Sequence, residues 1–272
     1  MIELLASDLD GTLVRSDGSI SQRSVEAIRA AEQAGVTVVF VTGRPPRWLG
    51  DVARATGGSG LAICTNGALV YDLHTEQVVE SFPISVEVAR QAAEDLRAAF
   101  PGVRFAVETA TSFGREADYV SDADMPDVRV AAIAELVDSP VAKLLVRSSD
   151  HDSDELLEAA REVLGDTVTA THSTRGPHAL LEISAAGVTK ASTLARFCEE
   201  RGLGPEQVVA VGDMPNDLPM LAWAGTAYAV ANAHPDVLAA VELVTASNDD
   251  DGVAVLLEGV VAERHAAERT GT

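Results

Sequence analysis

The segment Ser7-Asp8-Leu9-Asp10-Gly11-Thr12-Leu13 sets two carboxylates two residues apart, where a short apolar run from Ile2 to Ala6 ends. Asp and Gly are ordinary turn residues, so a strand-ending turn accounts for the residue types alone. Side chains alternate along a strand, so residues two apart point the same way and both carboxylates are expected at one site. Two carboxylates held close are unfavourable unless a cation or a proton lies between them. Metal binding or proton transfer is the sharper reading.

Three further stretches carry residues of the same kind. Thr42-Gly43-Arg44-Pro45 offers a hydroxyl, a backbone amide and a following helix start, a ready anion site. Lys190 stands in Gly187-Val188-Thr189-Lys190-Ala191 at the start of a helix, where the macrodipole disfavours a cation, so an anionic partner is expected for it. The other lysine of the chain, Lys143, lies in an apolar run and reads as a strand residue with a structural role. Gly212-Asp213-Met214-Pro215-Asn216-Asp217 follows an apolar strand directly. Its oxygen-bearing side chains suit a hard cation such as Mg²⁺, which takes one or two carboxylates and fills its shell with water or phosphate oxygens.

The elements that must position these groups alternate. Residues 2–8, 36–42 and 61–65 read as buried strands, and the first two are each followed by a helix. Ser21 is the N-cap of the first helix, which Gly35 ends, and Pro45 and Pro46 suit the first turn of the second, running to about Thr56. This rhythm predicts a parallel sheet with helices on both faces. Residues 69–72 and 78–82 read as a hairpin. From 85 to 186 the pattern is mixed, with helices near 86–99, 129–136 and 153–164 and strands near 103–108, 141–147, 167–171 and 179–183. The alternation returns after Gly187 with a helix at 188–202, a strand at 208–212, a helix near 216–223, a strand at 226–230, and helices near 235–240 and 252–264. A polar tail from about Arg264 is expected to fray. The fold class is α/β: a Rossmann-like parallel-sheet core over 1–84 and 187–272, with an inserted α+β cap over 85–186.

The chain of 272 residues is 47% hydrophobic and 23% charged, the balance of an ordinary globular protein. A net charge of −22 disfavours nucleic acid and anionic membranes as partners. No apolar run reaches the roughly 20 residues of a membrane span, and no secretory signal is read, so the expected location is the cytoplasm. Cys64 and Cys198 are expected as buried, reduced thiols.

Taken in order, the four stretches resemble those of the haloacid dehalogenase-like superfamily of phosphotransferases, most closely its Cof-like phosphatases, whose α/β cap follows the third core strand. Further matches are Thr65-Asn66-Gly67-Ala68, Leu181-Glu182-Ile183 leading to Lys190, Asn232 and the run Asn248 to Val253. Ala231 stands where the family more often has glycine, away from the matched catalytic positions. The resemblance implies that Asp8 is a nucleophile forming an aspartyl-phosphate. Asp10 is implied as the general acid and base, with its side chain turned from the metal and its backbone carbonyl a ligand. Asp8 and Asp213 are the implied carboxylate ligands of Mg²⁺. Thr42, the Gly43 amide, Lys190 and Arg44 are implied phosphate contacts, while Asn216 and Asp217 support the metal shell or the phosphate. Arg44 has an alternative role, bracing its loop.

The expected activity is hydrolysis of small phosphorylated metabolites, sugar phosphates or cofactor phosphates, by a monomer or weak homo-oligomer. The alternatives are a phosphomutase of the same fold and a non-catalytic binding or regulatory protein. The cap, with nineteen Asp/Glu against nine Lys/Arg, disfavours a second phosphate there and thus the mutase. An intact acid, nucleophile and lysine set disfavours a binder. His172, Arg175 and His178 are candidate specificity contacts.

Overall fold

Short β-branched runs bounded by turn residues form strands, and the amphipathic runs between them form helices. The computed structural model describes residues 1–58, 60–121, 127–172 and 179–270. Along the chain come β1 (Leu4–Ser7), α1 (Gln22–Gln33), β2 (Thr37–Val41), α2 (Gly50–Thr56), β3 (Leu61–Cys64), β4 (Leu69–Asp72) and β5 (Gln77–Ser81). Next are α3 (Val86–Ala99), β6 (Arg104–Glu108), β7 (Phe113–Arg115), β8 (Arg129–Val130), α4 (Ile133–Leu136), β9 (Lys143–Ser148), α5 (Ser153–Leu164), β10 (Val168–Thr171) and β11 (Ala179–Ala185). The last stretch carries α6 (Lys190–Glu199), β12 (Val208–Gly212), α7 (Leu218–Trp223), β13 (Thr226–Val230), α8 (Pro235–Ala240), β14 (Leu243–Thr245) and α9 (Gly252–Thr270).

The larger sheet runs β14-β13-β12-β1-β2-β3-β4-β5. It is parallel from β14 to β3, and the β4–β5 hairpin adds an antiparallel edge. β1 lies at its centre, with Leu4, Leu5 and Ala6 fully buried. A strand covered on both faces reads as a continuous apolar run, and burying each leucine contributes about 1.5–3 kcal/mol. From β1 the chain proceeds to β2 on one side, and β12 flanks it on the other. The strand order reverses at this point, where open α/β sheets leave a crevice at their carboxyl ends.

The smaller sheet runs β10-β11-β9-β6-β7-β8. Strand alternation gives it two distinct faces. Leu144 and Val146 of β9 are fully buried in the apolar cluster beneath α3 and α5, while Lys143, Leu145 and Arg147 face a cavity between the two sheets. Ala142, just before β9, is buried in the larger sheet's apolar cluster instead. An antiparallel bridge ties Ile84 to Val141 at the same seam.

Several expected elements differ in detail. Pro46 opens a 3₁₀ turn, Pro46–Trp48, and the α-helix begins only at Gly50. The stretch 129–136 divides into a two-residue strand and a four-residue helix. β7 and β14, three residues each, are too short to show a period. The tail does not fray at Arg264: α9 continues to Thr270, and the Arg264 guanidinium binds the Ile2 carbonyl at 2.8 Å and Glu3 at 3.0 Å. Cys64 and Cys198 are buried and free, and burial pushes the Cys198 thiol up to about 11.

Candidate active site

Asp8 is the first residue beyond β1, and its N–H donates to the Val211 carbonyl of β12 at 3.0 Å. Its side chain is buried. The chain then leaves the sheet, so strand alternation is not what brings Asp10 to the same cavity. Leu9 turns inward and is fully buried, and Gly11 adopts φ +81°. A side chain on Gly11 would put its Cβ 2.6 Å from Asp213 Oδ2, so both the conformation and the close approach require glycine. Asp10 emerges from this turn with a side chain 59% exposed. Asn232 Nδ2 holds the Gly11 carbonyl at 2.8 Å, and Asn248 holds the Val14 carbonyl at 3.0 Å.

Lys190 is the first residue of α6. A reciprocal capping box between Thr189 and Ser192 fixes that helix start. Its ammonium is buried and donates to Asp8 Oδ1 at 2.5 Å and Asp217 Oδ1 at 2.7 Å. The expected anionic partner of Lys190 is thus a pair of aspartates. These neighbours outweigh the cost of burial and hold its pKa above the ordinary lysine value. Asp217 Oδ2 accepts the N–H groups of Asp213 and Met214 at 3.0 and 2.9 Å, which winds the 213–217 turn tightly. Thr12 Oγ1 donates to Asp213 Oδ1 at 3.1 Å.

Asp8, Asp213 and Asp217 each offer a carboxylate oxygen, all within 4.8 Å of one another. Burial, resisted by Lys190 and assisted by repulsion from Asp217 and Asp213, pushes Asp8 well above the usual carboxylate range. Three buried acids against one lysine leave room in the charge balance for a cation, and an all-oxygen donor set fits a hard divalent ion. The Asp10 carboxylate lies outside this cluster. It is held by Arg44, whose Nε is 2.8 Å from Oδ2 and Nη2 2.5 Å from Oδ1.

Thr42 is fully buried, and its Oγ1 accepts the Arg44 N–H at 3.0 Å. Gly43 and Arg44 line the cavity with Asp8, Asp10 and Lys190. Asn216 lines it too; its amide donates to Asn66 Oδ1 at 3.2 Å, while its own Oδ1 is buried without a partner. The cavity holds about 810 Å³ and is bounded on the far side by the smaller sheet.

That far wall holds groups sequence reasoning passed over. Glu108 of β6 pairs with Arg47, whose guanidinium lies 5.4 Å from the Trp48 ring and 5.6 Å from that of Phe113. Lys143 reaches the Gly43 carbonyl at 2.8 Å and forms an ion pair with Glu182. The run Lys143-Leu144-Leu145-Val146-Arg147 is apolar at three consecutive positions, and nothing local in it aims Lys143 at the site. His172 is buried, with Nε2 2.9 Å from Asp154 Oδ1, and is not among the cavity's wall residues. Arg175 and His178 lie outside the described residues.

A largely parallel sheet thus gathers a buried acid, a buried lysine and an exposed acid at its reversal point, facing a second sheet across one cavity, in an α/β protein. A family model described as haloacid dehalogenase-like hydrolase matches residues 5–257, and the chain belongs to that family. It is 29% identical over 262 residues to pyridoxal phosphate phosphatase YbhA of Escherichia coli, covering 92% of this chain and 96% of that protein. It is 30% identical over 254 residues to 5-amino-6-(5-phospho-D-ribitylamino)uracil phosphatase YcsE of Bacillus subtilis, covering 93% of each. The crystal structure of TM0651 from Thermotoga maritima superposes with a TM-score of 0.75 at 30% identity, over 95% of this chain and 97% of that one.

Proposed function

We propose that the protein is a Mg²⁺-dependent phosphatase of small phosphorylated metabolites, acting through an aspartyl-phosphate on Asp8. The observation that carries this reading is the buried Asp8 carboxylate, fixed 2.5 Å from the Lys190 ammonium in the wall of a cavity that Asp10 also lines. The phosphatases among its relatives agree with it. Asp8 and Asp213, with the Asp10 carbonyl, hold the ion in this reading, while Asp217 has its oxygens committed to Lys190 and two backbone amides. Bound Mg²⁺ supplies charge neutralisation for the phosphoryl oxygens.

An Asp8 oxygen attacks phosphorus as the ester P–O bond breaks, and Asp10 gives its proton to the leaving alkoxide. Water then attacks the aspartyl-phosphate, Asp10 takes its proton, and release of inorganic phosphate restores the Asp8 carboxylate. Thr42, the Gly43 amide, Lys190 and Asn216 hold phosphoryl oxygens through the cycle, so alignment accounts for most of the rate. Arg44 orients Asp10. Residues 85–186 form the cap that excludes water and contacts the leaving group, over a core of 1–84 and 187–272. The reading includes a cytoplasmic location and a monomer or weak homo-oligomer. No helix among the described residues is long and apolar enough to cross a membrane.

The test is phosphate release from a panel of sugar, cofactor and short-chain phosphomonoesters, with Mg²⁺ and with chelator. Metal-dependent release from at least one member is expected; none from any member would sink the reading.

A further inference from the structure

We propose that Lys143, held by Glu182, is a positioning residue that sets the turn Thr42-Gly43-Arg44 from the cap side of the cavity. The proposal rests on the phosphatase reading for what that turn binds.

The turn has three carbonyls, and the core sheet ties only two. The Asn66 N–H donates to the Thr42 carbonyl at 3.0 Å, and the Thr65 N–H to the Arg44 carbonyl at 3.0 Å. The third, that of Gly43, is bound by Lys143 Nζ at 2.8 Å from β9. Lys143 and Glu182 are 3% and 5% exposed, a full ion pair withdrawn from water. Glu182 also lies against the turn, 3.4 Å from where a Gly43 Cβ would be. Strand pairing fixes the donor: Lys143 stands opposite Glu108 in β6, and Glu182 stands opposite Leu145, one diagonal step from Lys143 on the same face.

The Gly43 carbonyl shares a rigid plane with the Arg44 N–H, which donates to Thr42 Oγ1 at 3.0 Å. Glycine on one side of that plane leaves it soft. Lys143 on this plane and the Asn66 N–H on the preceding one, which carries the Gly43 N–H, clamp Gly43 from both sides, and so hold the direction in which Arg44 leaves the backbone towards Asp10 and the tilt of the turn's free amide. The Gly43 N–H makes no hydrogen bond among the described residues. The cap thereby supplies the one tie that the phosphate turn lacks.

A buried ion pair serving only as a staple is replaceable by apolar groups of similar volume without loss of stability. The experiment uses two double variants of the full chain, Lys143→Met with Glu182→Leu and Lys143→Gln with Glu182→Gln, beside Lys143→Arg. Thermal unfolding, steady-state kcat and KM, and calorimetric binding of inorganic phosphate in Mg²⁺ are read for each. Both double variants are expected to melt within a few degrees of the parent; the Met/Leu variant, with no donor, is expected to bind inorganic phosphate about 10–100-fold more weakly and lose kcat by a similar factor, and the Gln/Gln variant, whose amide donor is one bond shorter than the lysine, to fall between it and the parent. Lys143→Arg, which keeps a donor, is expected to recover most of both. Parental phosphate affinity in the folded double variants would overturn the proposal, even if KM for organic substrates rose, since that pattern marks a substrate contact. A parent that binds phosphate but hydrolyses no ester refutes the phosphatase reading alone, and the affinity comparison still decides the role of Lys143. A parent that binds no phosphate overturns both.

Discussion

Arg44 closes a two-point ion pair on Asp10, Nε to Oδ2 at 2.8 Å and Nη2 to Oδ1 at 2.5 Å, and so holds the exposed acid of the site over the cavity. Asp8 is gripped instead by a buried lysine. The two aspartates differ in partner, exposure and surroundings although one residue separates them.

Arg44→Ala is expected to leave stability within about 1 kcal/mol, because the pair it removes is largely exposed on the aspartate side. Its cost should fall on proton transfer, a contribution of about 10²–10⁴ in rate when fully lost. Alkyl phosphates, whose leaving groups need the proton, should slow by at least tenfold more than nitrophenyl phosphate. Equal losses on the two would assign Arg44 to binding rather than to the orientation of Asp10.

Asp8→Asn should abolish turnover by about 10⁴-fold or more, as expected for loss of a nucleophile. The fold should persist, because Lys190 keeps Asp217 and two acids no longer repel a third. Phosphate release and thermal melting, measured on one preparation, check both halves. A residual rate within tenfold of the parent would refute the nucleophile.

Stability should respond to metal and pH together. Asp8 without an ion has its pKa raised, chiefly by burial and then by Asp217 and Asp213 against the pull of Lys190. An acid raised on folding contributes stability that is complete below its ordinary value near 3.8 and is lost as pH climbs through the folded value. Chelated protein should therefore melt lower as pH rises through that window. Mg²⁺, which binds the ionised form, should restore it, by about 2.7 kcal/mol at a hundredfold excess over Kd. A melting-temperature gain from Mg²⁺ that shrinks with rising pH would contradict this charge balance.

The core was legible because the strands of the larger sheet, the three-residue β14 excepted, announce themselves locally. The run Thr37–Val41 is β-branched and bounded by Gly35 and Gly43, and Ser21 caps α1 through the Ser24 N–H as its type predicts. Asp8, Lys190 and Asp213 are far apart in sequence, and only the resemblance joined them. Asp10 was expected to share a strand face with Asp8, but β1 ends at Ser7 and the chain already turns at Leu9, so the period of a strand no longer governs where Asp10 points. The Lys143 partnership was invisible for a different reason. An ion pair between two strands almost forty residues apart in sequence and a contact with a distant carbonyl leave no local trace, and one lysine in an apolar run looks the same whether it staples or serves. Glu108 with Arg47 escaped notice in the same way.

The two-faced β9 strand couples the cavity wall to the helices behind it. Residues 144 and 146 anchor the lid to its own helices, while residues 145 and 147, with Leu180 across the sheet, touch whatever lies beneath. The cavity side is packed as well, Leu145 against the small cluster of Ala106, Phe113 and Tyr119 and the Arg147 guanidinium 5.6 Å from the Tyr119 ring, so the two faces of one strand are braced by different neighbours. A change on the cavity side therefore meets an aromatic cluster before it meets the helices, while Lys143 and Glu182 tie the same pair of strands to the Gly43 carbonyl.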